Sequence, residues 1–143
     1  MMDRAKGMIF NILSDFVREV DVLDLFAGSG SLGLECLSRG ARHVTFVENG
    51  PWAKKSLLNN LETLGLKDES RVIFSDVFRA IGALERQGKT FSLIFLDPPY
   101  NKGLVKKILN QLDRSDIVTP LTQLIVHRSR QEKLPETLQK IEV

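Results

Sequence analysis

Asp24 to Gly33 reads DLFAGSGSLG, and it lies between two stretches of different periodicity. Before it, Val20 to Phe26 is a short apolar run with the length of a strand. After it, Leu32 to Arg39 has helical spacing and is closed by Gly40, a residue suited to a C-terminal cap. Gly28, Gly30 and Gly33 fit G-x-G-x-x-G, the spacing that lets a backbone turn tightly from strand to helix while the helix start offers unpaired N–H groups to a polar ligand. Glu48 stands 20 residues beyond the first glycine, at the end of a second strand, where a carboxylate can accept hydrogen bonds from ribose hydroxyls. The loop implies an adenosine-type cofactor.

The rest of the chain repeats the strand–helix alternation. Asp3 to Val17 is expected to be a helix with Ile9, Ile12, Leu13, Phe16 and Val17 on its apolar face and Arg4 and Lys6 on a solvated one. His43 to Val47 is the second strand. Asn49-Gly50-Pro51 opens a helix whose buried face is Leu57, Leu58, Leu61 and Leu64, ending at Gly65, with Trp52 assigned to packing. Arg71 to Phe74 is a third strand, followed by Ser75-Asp76 and a helix with Val77, Ile81 and Leu84 on one side. Phe91 to Leu96 is a central strand, Leu104 to Leu112 a helix and Leu121 to Val126 a fifth strand, with the tail from Pro135 helical or irregular. The expected fold is one α/β domain over 1–143, Rossmann-like and doubly wound, with parallel strands in the order 3-2-1-4-5 and helices on both faces.

In such a sheet, ligands bind beyond the carboxyl ends of the strands where the order reverses. Asp24, Glu48 and Asp76 end successive strands. For Asp76 a helix cap is an equal alternative to a ligand contact. A carboxylate at Asp24 can meet a cationic amino group, which S-adenosylmethionine has and a nicotinamide dinucleotide lacks. The fourth strand ends in Asp97-Pro98-Pro99-Tyr100. Two prolines stiffen that loop, so a carboxylate and carbonyl oxygens are held in fixed geometry beside an aromatic ring. Acceptors that hold both N–H groups of a base amine can aim its lone pair at an electrophile. Asp97 and the Pro98 carbonyl are the candidates, with Tyr100 stacked on the base.

Composition narrows the class. A 43% hydrophobic and 27% charged content describes a globular chain. No apolar run approaches a membrane span and no signal peptide is visible, so a cytoplasmic location is expected; the chain is expected to be a monomer. The single cysteine, Cys36, lies among leucines and reads as core. A net charge of +2 neither identifies nor excludes a nucleic-acid partner. One cysteine excludes a cysteine-based metal cluster. Lys102, Lys106 and Lys107 lie near the reaction loop in sequence, and Arg128 and Arg130 follow the fifth strand; these are the candidate phosphate contacts, with solvated charge as the alternative. His127 has no partner visible in sequence and is given no catalytic role.

DLFAGSGSLGLECLSRGA, Glu48, Asp76 and DPPY, in this order and spacing, resemble the class I S-adenosylmethionine-dependent amino-methyltransferases. With DRAKGMIFNIL before the first strand and FSLIFLDPPY later, the chain resembles the bacterial 16S ribosomal RNA guanine-N2 methyltransferase family. The resemblance implies methylation of guanine N2 in small-subunit RNA, naked or as ribonucleoprotein, with S-adenosylhomocysteine as by-product. It implies the backbone of Phe26, Ala27, Gly28, Ser29 and Gly30 on the methionine part of the cofactor, Glu48 on the ribose, Asp76 and Val77 on the adenine, and Asp97 to Tyr100 on the target base, with Asn49 and Asp97 as further cofactor-binding candidates. It implies no metal. Against that family the chain looks shortened at both ends, with further edge strands absent. Three alternatives stay open: the same chemistry on adenine N6 or a protein glutamine, a nicotinamide-dependent oxidoreductase, and a non-catalytic RNA-binding module.

Overall fold

The structure, a computed structural model, describes residues 3–99, 103–127, 134–135, 138 and 140–141. Five parallel strands form one sheet: β1 (Asp21–Leu25), β2 (His43–Glu48), β3 (Ser70–Phe74), β4 (Phe91–Leu96) and β5 (Val118–Val126). Their spatial order is β3-β2-β1-β4-β5, as expected. The helices are α1 (Asp3–Leu13), α2 (Ser31–Ser38), α3 (Pro51–Leu64), α4 (Val77–Arg86) and α5 (Leu104–Asp113). No helix among the described residues is long and apolar enough to cross a membrane.

Strand alternation divides the core into two layers. Val22, Leu93 and Phe95 face α1, α2 and α3 with Phe10, Cys36 and Leu57, while Leu23, Ile94 and Leu96 face α4 and α5 with Ile81, Leu84 and Ile108. Because both faces are covered, the central strands are apolar at nearly every position. The third glycine of the loop serves this packing: a Cβ on Gly33 would lie 2.3 Å from the Phe46 ring and 2.8 Å from a Val44 methyl group, both buried.

Several expectations are corrected. The first helix ends at Leu13 and passes into a 3₁₀ turn, Ser14–Val17, where Ser14 takes a φ of 49°. Phe10, Leu13 and Val17, at helical spacing, form the buried stripe, and Ile12 lies off it, 78% exposed. Lys6 is half-buried rather than solvated, and its Nζ donates to Ser31 Oγ at 3.2 Å and lies 3.6 Å from Glu35, tying α1 to α2. On α3 only Leu57 and Leu61 are buried; Leu58 and Leu64 are exposed, and Trp52 is 82% exposed instead of packed. The helix crosses from β2 to the edge strand β3, so a narrow i, i+4 stripe reaches the core. β5 starts three residues earlier than its apolar pattern suggests, and it tolerates Pro120 because it is an edge strand. The tail residues Lys140 and Ile141 donate backbone N–H bonds of 2.6 and 2.7 Å to Asp113 Oδ1, in irregular structure.

Candidate active site

Strand order reverses between β1 and β4, and the carboxyl ends of β1, β2, β3, β4 and β5 open on one cavity of about 890 Å³. Phe26 follows β1 and is turned out of it by a φ of 61°, a left-handed conformation that a bulky residue adopts only under constraint from its surroundings. The Ala27 N–H donates to Val47 O at 3.0 Å and the Gly30 N–H to Ala27 O at 2.9 Å, which closes the turn before α2.

Glu48 fixes that turn from the next strand. Its Oε1 accepts from Gly28 N–H at 2.8 Å, and Oε2 accepts from Asn49 and Gly50 N–H at 3.0 and 2.7 Å. Two carboxylate oxygens offer about four acceptor positions, so three backbone bonds leave capacity for a hydroxyl. Asp76 is a helix cap, and it also lies in the cavity wall. Its Oδ1 caps α4 by accepting from Arg79 N–H at 2.9 Å, and its side chain lines the cavity with Val77 and Phe78.

Asp24 departs from expectation. It is 1% exposed and absent from the cavity wall; its Oδ2 accepts from Gly33 N–H at 3.2 Å beneath the glycine turn. Burial pushes its carboxyl up to about 7, the Gly33 bond opposes that rise, and the nearby charges of Asp97 and Glu48 add to it.

Of the residues that the sequence marks for cofactor and base, the cavity gathers Phe26, Glu48, Asn49, Asp76, Val77, Asp97, Pro98 and Pro99. Ala27, Gly28 and Gly30 form the turn behind Phe26, and Ser29 faces a smaller hollow beside Lys6 and Asn60. Lys106 and Lys107 are exposed on α5, outside the cavity lining. Tyr100, Lys102, Arg128 and Arg130 lie outside the described residues. Sequence reasoning misses Phe78 and His127. The same strand-end rule that selects Asp76 reaches both, since Phe78 is two residues past Asp76 and His127 directly follows β5. His127 does have a partner: its Nδ1 lies 2.8 Å from Asp97 Oδ1.

The wall's charge is one-sided. Among the described lining residues the acids are Glu48, Asp76 and Asp97, His127 is the single basic side chain, and there is no lysine or arginine. Asp24 adds a fourth carboxyl just beneath. Such a wall suits a cation and opposes a pyrophosphate, while Phe26, Val77, Phe78 and Leu104 supply apolar contact for a planar ring.

The chain is similar to known proteins over most of its length. A Bacillus subtilis protein provisionally named rRNA methyltransferase YlbH is 37% identical over 95% of this chain and 74% of its own length. Ribosomal RNA small subunit methyltransferase D of Escherichia coli K12 is 33% identical over 93% of this chain and 65% of its own, so the chain spans just under two thirds of that relative. Among solved structures, Escherichia coli yhhF, provisionally titled a methyltransferase, matches with a TM-score of 0.82 and 32% identity over 94% of this chain and 74% of that one. The SAM-dependent methyltransferase from Agrobacterium tumefaciens matches with a TM-score of 0.73 and 26% identity over 89% of this chain and 45% of that one. The model of the family described as conserved hypothetical protein 95 matches residues 1–143, and the chain belongs to that family.

Proposed function

We propose that the chain is an S-adenosylmethionine-dependent methyltransferase acting on ribosomal RNA, and that its acceptor is the exocyclic N2 amine of a guanine in small-subunit RNA. The observation that carries the cofactor reading is the anionic wall: Glu48, Asp76 and Asp97 line the cavity with no lysine or arginine among the described lining residues. The donor set fits the cofactor. Open space stands where a Gly28 Cβ would project, so the turn leaves room for close approach to its backbone. Phe26 to Gly30 would hold the methionine part, Glu48 and Asn49 the ribose, and Asp76, Val77 and Phe78 the adenine.

Bound S-adenosylmethionine supplies an electrophilic methyl group on a cationic sulfur, with a neutral thioether as leaving group. The protein's task is on the acceptor side. A base amine is a weak nucleophile because its lone pair is delocalised into the ring; acceptors at Asp97 and the Pro98 carbonyl draw both N–H groups out of conjugation. Methylation of the amine would place positive charge on its nitrogen. The Asp97 carboxylate stabilises that charge and takes the departing proton. The guanine assignment rests on the resemblance of the DPPY segment and its surroundings to the guanine-N2 family. Small-subunit RNA as partner is supported by the name of the Escherichia coli relative, and Lys106 and Lys107 are the exposed cations this reading offers to its phosphates.

Cofactor choice is tested by calorimetry with S-adenosylmethionine, S-adenosylhomocysteine and NAD on the same sample. Heat of binding is expected for the first two and none for NAD. Binding of NAD with silence from the other two overturns the reading.

A further inference from the structure

Carboxylates at strand ends are usually held by the backbone N–H groups that follow them, and this protein shows it twice. Glu48 accepts from Asn49 and Gly50, and Asp76 from Arg79. Asp97 cannot be held that way at its next two positions, because Pro98 and Pro99 have no N–H to give. Donors reach it from other positions. The adjacent strand supplies one: β4 and β5 pair in parallel with Leu96 opposite Val126, so the next pair in register is Asp97 and His127. The His127 backbone N–H donates to Leu96 O at 2.9 Å, which anchors its Cα beside β4, and the ring Nδ1 then lies 2.8 Å from Asp97 Oδ1.

We propose that His127 is a positioning residue for the methyl-transfer reaction: held in the Nδ1–H tautomer, it donates to Asp97 Oδ1 and fixes the plane of the carboxylate that meets the acceptor amine. This rests on the function proposed above. It explains why an imidazole stands as the one basic side chain among the described lining residues of an otherwise acidic cavity. A neutral imidazole supplies a directed donor without cancelling the negative charge that the cationic ligand requires, which a lysine or arginine at that position would do. The pairing works through Asp97; His127 itself is not assigned a contact with the reacting atoms.

The chain has two histidines, His43 and His127, so ring nitrogen-15 spectra of the whole protein resolve the pair directly. With the rings neutral, His127 is expected in the Nδ1–H tautomer in the wild type and to shift to the Nε2–H form in Asp97→Ala, with His43 unchanged as internal reference. Kinetics form the second arm. His127→Ala is expected to lower kcat for methyl transfer by about 10- to 100-fold, the cost of a misplaced reacting group, with KM for S-adenosylmethionine unchanged. His127→Asn, whose amide nitrogen can stand where Nδ1 stands, is expected to recover most of the loss. An Nε2–H tautomer indifferent to Asp97→Ala overturns the pairing, and wild-type kcat in His127→Ala overturns the positioning role. A wild-type chain that transfers no methyl group to RNA, with the tautomer shift present, overturns the function reading while leaving the pairing standing.

Discussion

Replacing Asp97 by alanine is expected to abolish methyl transfer, a loss of at least about 10³-fold in kcat, while binding of S-adenosylmethionine stays close to that of the wild type. The size follows from two roles lost at once: the acceptor that draws the amine out of conjugation and the charge that opposes developing positive charge on nitrogen. The proposed contacts with the cofactor's methionine part, ribose and adenine come from the ends of β1, β2 and β3, and the wall keeps Glu48 and Asp76 when Asp97, at the end of β4, is removed. The carboxamide separates the two roles. Asp97→Asn keeps an acceptor oxygen for the amine and for His127 but carries no charge and takes no proton, so it is expected to fall nearly as far as alanine. Stopped transfer with intact calorimetric binding supports the assignment. Transfer at the wild-type rate by Asp97→Ala refutes it.

The second large effect concerns stability. Asp24 titrates at about 7 in the folded protein against an ordinary 3.8, because burial disfavours its charged form. The folded state therefore binds this proton more tightly than the unfolded chain. Its contribution is fully present below pH 3.8 and is lost as pH rises to about 7. Each pH unit is worth about 1.4 kcal/mol, so the loss across that window is about 4 kcal/mol. Asp24→Asn keeps an acceptor for the Gly33 N–H and carries no charge at any pH. It is expected to match the wild type near pH 4 and to exceed it by up to about 4 kcal/mol at pH 8 in urea unfolding. A stability difference that does not change with pH would show that Asp24 carries no such cost. A buried carboxyl kept at this expense sits directly beneath the proposed cation site, where a bound positive charge would offset it.

Much of this is legible from residues. The switch from strand to helix spacing around Asp24 to Gly33, together with prolines and glycines at the expected helix ends, is enough for the order of elements and the 3-2-1-4-5 sheet, which the structure shares. The strand-end rule brings Glu48, Asp76 and Asp97 to one cavity. Features that depend on packing rather than periodicity are not legible. Helical spacing marks Ile12 and Leu64 as buried, but it does not show that Phe10 rather than Ile12 lies on the stripe that meets the sheet, or that α3 runs near the sheet edge. For Asp24 the place on the strand is visible in sequence and the depth is not, so a ligand contact is expected where the structure has a buried carboxyl. The Asp97–His127 pair, 30 residues apart, depends on the register of β4 against β5, which includes a shift between Phe91 and Leu93 that no local pattern announces.

Transfer of a labelled methyl group from S-adenosylmethionine to small-subunit RNA that lacks its own methylations bears on cofactor, acceptor and catalytic residue at once. The RNA is offered both naked and assembled with ribosomal proteins, and the product is resolved into nucleosides. Label is expected in N2-methylguanosine from at least one of the two substrates, and none with Asp97→Ala. Label in another nucleoside, or none from either substrate while the cofactor binds, would contradict the proposed reaction.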